Sequence, residues 1–326
     1  MAKKRRKKKR GINIFIVLAI CLGMMGGTYF YTMNAIEKET YRGSSVAYSR
    51  NLIKNLDVNS AEYKKAQKYY TEEELSSIRE GIDLSKVVTE SETIDEQGLE
   101  LIKVHGSTYQ AFLLLIHHPE DVIVAINPTL DSAAAGMYLE EYCEAYNAVA
   151  GINAGGFEDA GGNGNGGQAW GIVIHEGKLV SGSMNEFTSV IGINGANRLV
   201  VGDMTAAQAL EWDVQEAVTF GPIFIKEFQN VFTTGPHPML NPRTVIGQRE
   251  DGTFMFLVID GRQPISFGST YQDIIDIMSS YGAMMAANLD GGNSTIMYYN
   301  GEVINSTVSI KGGRHLPTAF LVKEHQ

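Results

Sequence analysis

From Leu99 onward the chain alternates between short apolar runs and polar or glycine-rich breaks. The runs LELIKV, AFLLLI and VIVAIN are of strand length, rich in branched residues and bounded by polar or turn residues, so a sheet is predicted to begin here. WGIVIH, KLVSG, SVIGIN, RLVVG, RTVIGQ, FMFLVIDG, AANLDGG, STIMYYNG and AFLVK carry the same pattern to the C-terminus. Helical spacing shows in two places. Between Ala133 and Ala150, Met137, Tyr138, Tyr142 and Tyr146 recur three or four apart, ahead of a strand that runs into Asn153. Between Thr270 and Tyr281, Ile274, Ile275, Ile277 and Met278 fall on one side. The alternation predicts an α+β domain over 86–326, a mixed, largely antiparallel sheet with flanking helices.

The first third lacks this pattern. Ile12 to Tyr31 is a stretch of twenty residues without a charge, the length that crosses a hydrocarbon core of about 30 Å at about 1.5 Å per residue. Lys3 to Arg10 is an unbroken run of eight cations in front of it. Cations flanking a span stay on the cytoplasmic side, so the rest of the chain is expected to lie outside the cytoplasm. A cleaved signal peptide would need a shorter apolar region and a small-residue cleavage site. Thr28 to Met33 supplies interfacial aromatics instead. The organisation expected is a basic cytoplasmic tail over 1–11, a transmembrane anchor over 12–33, and a polar stalk over 34–85 with an amphipathic helix from Ala61 to Arg79. The folded domain follows.

Composition narrows the function classes. At 44% hydrophobic and 20% charged residues the chain can bury a core, which excludes global disorder. The formal charge of −10 becomes −18 once the eight N-terminal cations are set aside, and so acidic an ectodomain argues against nucleic acid as ligand. Two cysteines, Cys21 in the apolar run and Cys143 alone beyond it, leave the domain no internal disulfide. Acidic neighbours in LEEYCEAYNAV raise a thiol pKa, so a packing role for Cys143 is expected rather than a nucleophilic one.

Four elements could carry chemistry. Asn288 to Thr295 is an apolar-led strand ending in Asp290, Gly291 and Gly292, whose adjacent glycines let a ligand approach bare backbone; an Asp-Gly hairpin turn is the plainer interpretation. Asn241 to Gly247 places Arg243 at the mouth of a strand, where a guanidinium fork matches two phosphate oxygens or makes a surface ion pair. Asp260-Gly261-Arg262 closes the apolar run FMFLVI, as a site or as an ordinary turn. Asn153 to Phe157 is again a strand ending in a double glycine, Gly155-Gly156. "NAGGF" and "NLDGGNS" are each followed by a hairpin pattern with glycine at its tip, an internal echo that would place Asn153 and Asp290 at equivalent strand ends.

Taken in order, NAGGF, Gly221-Pro222, RTVIG, DGR, LDGGNS and Gly313-Arg314-His315-Leu316-Pro317 resemble the motif series of the phosphodiester glycosidase family over residues 100 to 324. Ala154 stands where that family often has glycine. An extra glycine-rich segment, Glu158 to Gln168, reads as a mobile loop beside the site; its Asp159, Asn163 and Asn165 offer oxygens for calcium but lack the EF-hand spacing.

The resemblance implies cleavage between an anomeric carbon and a phosphate oxygen. Asp290 would act at the sugar as nucleophile or as base for water. Arg243 would clamp the phosphate, assisted by Arg314 or His237. Asp260 or Glu158 would supply a second carboxylate, and Asn153, Gly155, Gly156, Arg262, Gly291, Gly292, Asn293 and Ser294 would line the substrate. No resident metal or other cofactor is expected, and His175, His237 and His315 lack metal-ligand spacing. The partner expected is a sugar-phosphate polymer of the cell envelope. A metal-dependent phosphodiesterase and a non-catalytic polysaccharide-binding or assembly module are the alternatives.

Overall fold

The computed structural model describes residues 61–68, 89–91, 93–106, 108–159, 164–232, 239–263, 266–308 and 313–325. The basic tail, the expected anchor and most of the stalk lie outside these residues, as does His237. No described helix is long and apolar enough to cross a membrane. Of the helix expected from Ala61 to Arg79, Ala61–Ala66 is helical, and residues from 69 onward fall outside the description.

The strands begin with β1 (Thr89–Ser91), β2 (Leu99–His105), β3 (Gln110–Ile116), β4 (Val122–Ile126), β5 (Ala148–Asn153) and β6 (Val173–His175). They continue with β7 (Lys178–Ser181), β8 (Phe187–Asn194), β9 (Leu199–Thr205), β10 (Val214–Thr219), β11 (Ile223–Lys226) and β12 (Gln229–Asn230). β13 (Arg243–Arg249), β14 (Phe254–Ile259), β15 (Ala283–Asn288), β16 (Met297–Tyr299), β17 (Glu302–Val303) and β18 (Thr318–Lys323) complete the set. They form an eight-stranded sheet in the order β1-β2-β3-β14-β13-β15-β11-β12 and two five-stranded sheets, β7-β6-β10-β8-β9 and β17-β16-β5-β18-β4.

Every described pairing between these strands is antiparallel, which corrects the expectation of a mixed sheet. Short links such as Glu250 to Thr253 between β13 and β14 join neighbours as hairpins. Parallel pairing would require long crossover connections.

A common core joins all three sheets: Leu114, Ile246 and Phe256 of the large sheet meet Ile152 and Phe320 of one small sheet and Ile191 and Val201 of the other. The large sheet is buried on its second face as well. There the helix Tyr271–Ser280 lays Ile274, Ile275, Ile277 and Met278 against Leu113, Val245, Met255 and Leu257. Burial on both faces explains why AFLLLI and FMFLVI are apolar without alternation. Each small sheet likewise carries a helix on its outer face, Leu139–Tyr146 over Leu321 and Ile296, and Ala206–Glu211 over Ile174 and Val190.

The helix expected over Ala133 to Ala150 is shorter. It runs Leu139–Tyr146, opened by Glu141, whose Oε2 accepts from the Tyr138 N–H at 2.8 Å, and closed by Asn147 in the left-handed region at φ 52°. Upstream, Gly136 lies so close to the Leu316 carbonyl that a Cβ would come within 2.2 Å of it, so this stretch is held as turns against the C-terminal segment. Among the elements not expected from the sequence are β10 and the Ala206–Glu211 helix. β10 interrupts its apolar positions with Glu216, which is 9% exposed and pairs with His175 at 2.9 Å. The Ala206–Glu211 helix is too short to show a period. Cys143 is buried beneath Leu139–Tyr146, and burial, with Glu140 nearby, pushes its thiol up to about 12.

Candidate active site

Four predicted motifs meet where strand ends converge. β13 and β15 pair with Val245 opposite Asn288, and Leu289 N–H extends the ladder by donating to Thr244 O at 2.8 Å. The chain then leaves the sheet: Asp290 N–H donates to Ala154 O at 3.0 Å and Gly292 N–H to Pro242 O at 3.0 Å. The LDGGNS turn is thereby fastened to NAGGF on one side and to NPRT on the other. Asn153 is fully buried at this junction. Its Nδ2 donates to Asp290 O, while its Oδ1 accepts from Thr244 Oγ1 at 2.7 Å and Ile296 N–H at 3.2 Å. The Gly-Pro motif, whose peptide is cis, joins as well: Pro222 O accepts the Asn288 N–H at 3.0 Å and Gly221 O accepts its Nδ2 at 2.9 Å.

The internal echo of the sequence corresponds to a real juxtaposition. Asn153 and Asp290 close two strands that come together end to end, and each motif is followed by a hairpin, β6–β7 and β16–β17.

The contacts of the predicted side chains divide into two groups joined by the Asp290–Ser294 turn. The first surrounds Asp290. Burial raises its carboxyl to about 6, against the lowering influence of hydrogen bonds from Ser294 and the Gly291 N–H and of the Arg314 charge, while Asp159 pushes the other way. Arg314 forms a bidentate pair with Asp159, at 2.8 and 2.9 Å, and stacks 4.8 Å from the centre of the Phe157 ring. Gly164 O and N–H complete the cage on the same two side chains. Asp159 and Gly164, in the segment expected as a mobile loop, are thus tied to the closing arginine, while residues 160–163 between them lie outside the described residues. Arg314 serves Asp159 rather than assisting Arg243.

The second group surrounds Arg243. Its guanidinium lies 4.3 Å from the centre of the Tyr271 ring and donates to Met239 O at 3.3 Å, and its Nε is buried without a partner among the described residues. Burial lowers its pKa; Tyr271 opposes that shift and the Arg262 charge adds to it. Arg262, at φ 58°, donates to Asn293 Oδ1 at 2.8 Å and Asn241 Oδ1 at 2.9 Å, and packs over Gly292, whose own φ is +61°. Among the described residues neither arginine has an ion-pair partner. Two cations sit beside one turn with no carboxylate between them, an arrangement suited to an anion with several oxygens.

Three predicted roles are not met by the geometry. Asp260 is 3% exposed, and its carboxylate accepts from Asn305 Nδ2 at 3.1 Å and Ser306 N–H at 3.0 Å, so it anchors the loop after β17. The four motif glycines do not offer free N–H groups: Gly155 donates to Thr318 Oγ1, Gly156 to Thr219 O, Gly291 to Asp290 Oδ1 and Gly292 to Pro242 O. Glu158 is exposed and lines a groove with Asp131 and Glu186. The oxygens considered for calcium are engaged too, Asp159 with Arg314 and Asn165 Oδ1 with Gly167 N–H at 3.0 Å; Asn163 lies outside the described residues.

Among those residues, one group of metal-ligand type stands together, His118, Glu120 and His325. Its two imidazoles are stacked at 3.7 Å and 15°, so their lone pairs lie in near-parallel planes, and His325 Nδ1 is already 2.7 Å from Asp121 Oδ2.

Tyr271, Asn241, Thr244 and Trp170 were not singled out from the sequence. Asn241 and Thr244 lie inside the NPRT motif and were legible there. Tyr271 opens a helix and reaches the site only through the fold.

A sequence profile for phosphodiester glycosidases matches residues 146–323, more than half of the chain and all four converging motifs. The chain belongs to the phosphodiester glycosidase family. Members of this family are hydrolases. The zebrafish N-acetylglucosamine-1-phosphodiester alpha-N-acetylglucosaminidase catalytic domain, auto-inhibited by its pro-peptide, shares the fold at a TM-score of 0.57 and 18% identity, over 73% of this chain and 84% of that one. A hypothetical protein from Synechocystis does so at 0.51 and 14%, over 72% and 63%. The SPbeta prophage-derived uncharacterized protein YomE of Bacillus subtilis (strain 168) is 41% identical over 66 residues, 20% of this chain, which spans about a tenth of YomE's length. In this phosphodiester glycosidase domain the matched region runs from the end of the Leu139–Tyr146 helix through β18.

Proposed function

We propose that the domain hydrolyses a sugar-1-phosphodiester, with Asp290 as base for the attacking water and Arg243 and Arg262 holding the phosphate. The observation that carries this is a buried carboxyl, raised to about 6, on a turn flanked by two arginines that have no carboxylate partner among the described residues. A carboxylate of that basicity accepts a proton from water more readily than an ordinary one while remaining ionised at neutral pH. Water attacks the anomeric carbon, Asp290 takes its proton, and the C1–O bond breaks with its electron pair leaving on the phosphate oxygen. A phosphomonoester leaves without protonation when cations receive the charge, which removes the need for a second carboxyl in the role first assigned to Asp260.

We further propose that the eight cations and the apolar stretch of twenty residues anchor the chain with this domain outside the cytoplasm. Its substrate would then be a sugar-phosphate polymer of the cell envelope.

The test is release of free sugar from a panel of sugar-1-phosphodiesters by the full-length chain in detergent, beside Asp290→Asn and Arg243→Ala. Asp290→Asn is expected to lower kcat by about 10³-fold or more, and Arg243→Ala to lower kcat/KM by about 10²-fold, the scale of one lost transition-state contact. Wild-type turnover in Asp290→Asn would end the assignment. Loss of activity on chelation would point to the metal-dependent alternative, and no release from any substrate to the non-catalytic one.

A further inference from the structure

Trp170 is 57% exposed, yet the chain that carries it is fixed. Its N–H donates to Gly156 O at 2.9 Å, Ala169 N–H donates to Asp131 Oδ1 at 3.2 Å, and Ala169 bridges to Phe157. The indole is seated on Gly156: a Cβ there would come within 3.1 Å of the indole Cε3 and 3.0 Å of the Phe220 ring. Gly156 follows two residues after Ala154, whose carbonyl receives the Asp290 N–H. The second glycine of NAGGF therefore seats a large exposed aromatic on the segment that is fastened to the Asp290 turn.

Ala169 and Gly171, on either side of Trp170, line a groove of about 400 Å³ with Asp131, Glu158, Gln168 and Glu186 among its walls. An exposed indole whose two chain neighbours line a groove of oxygen acceptors offers what a pyranose needs, a surface for its C–H face and partners for its hydroxyl rim. The three carboxylates repel phosphate, so the ring they suit is an uncharged one.

We infer that Trp170 is a stacking platform for a neutral saccharide ring adjoining the scissile linkage, with the groove accepting that ring's hydroxyls. The inference builds on the proposed sugar-phosphate substrate, but its test reads binding without turnover, so either can fail without the other.

Tryptophan occurs at two positions, and Trp212 caps the far end of the Ala206–Glu211 helix, so Trp212→Phe leaves Trp170 as the single reporter. Full-length Trp212→Phe would be titrated with neutral tetrasaccharides of N-acetylglucosamine, glucose and galactose. A saturable blue shift of emission with at least one sugar is expected. Calorimetry should then show affinity for that sugar at least tenfold weaker in Trp170→Ala and intermediate in Trp170→Phe, with both variants melting as the parent does. No shift with any of the three sugars, or undiminished affinity in a folded Trp170→Ala, would overturn the platform.

Discussion

Asp290 is raised to about 6 by burial, and the charges that modulate it belong to Arg314 and Asp159, which are paired with each other. If activity needs the ionised carboxylate, kcat/KM falls as pH drops through the neighbourhood of 6. Arg314→Gln removes the cation that lowers the Asp290 pKa and leaves Asp159 uncompensated, and both changes move that limb to higher pH. Asp159→Asn removes the anion that raises it and frees the Arg314 charge, and both move the limb lower. Opposite displacements in the two pH–rate profiles are the expected outcome; parallel ones would detach the acidic limb from Asp290.

At the scale of elements, the helix Tyr271–Ser280 serves the site as well as the core. Thr270 and Asp273 cap it reciprocally: Thr270 Oγ1 accepts from Asp273 N–H at 3.2 Å, and Asp273 Oδ2 accepts from Thr270 N–H at 2.7 Å. The residue after the cap is Tyr271, the ring under Arg243. Thr270→Ala should therefore cost about 1 kcal/mol in denaturant unfolding, the usual worth of such a cap. It should also raise KM more than it lowers kcat, because the first helical turn aims the proposed phosphate clamp. The sequence showed this helix clearly, since four apolar residues on one side of ten left little alternative. It did not show that the helix ends on an arginine. The helix over 133–150 was legible only in part, because its tyrosines kept helical spacing while Gly136 and Asn147 belonged to turns fixed by distant backbone.

For the whole molecule, the decisive feature is that the large sheet and a small sheet meet at their strand ends through Asn153, fully buried and hydrogen-bonded to groups on both. Asn153→Ala leaves Thr244 Oγ1 and Ile296 N–H without their acceptor, and burying such orphans costs about 1–3 kcal/mol each. Calorimetry is expected to show stability lower by about 2–4 kcal/mol, and activity should fall further than Asp290's intact carboxylate would suggest. The sequence by itself determined the strand pattern, the helix over 271–280, the family and the set of motifs, because periodicity and short turn motifs are local properties. Which motif groups are taken up by internal partners was decided by the tertiary structure. The Gly291 N–H turns to its own neighbour Asp290, but Asp260 and the other motif glycine N–H groups are taken up, Arg314 is claimed by Asp159, and Arg262 is brought beside Arg243, through contacts between segments 21 to 163 residues apart, which no local pattern records.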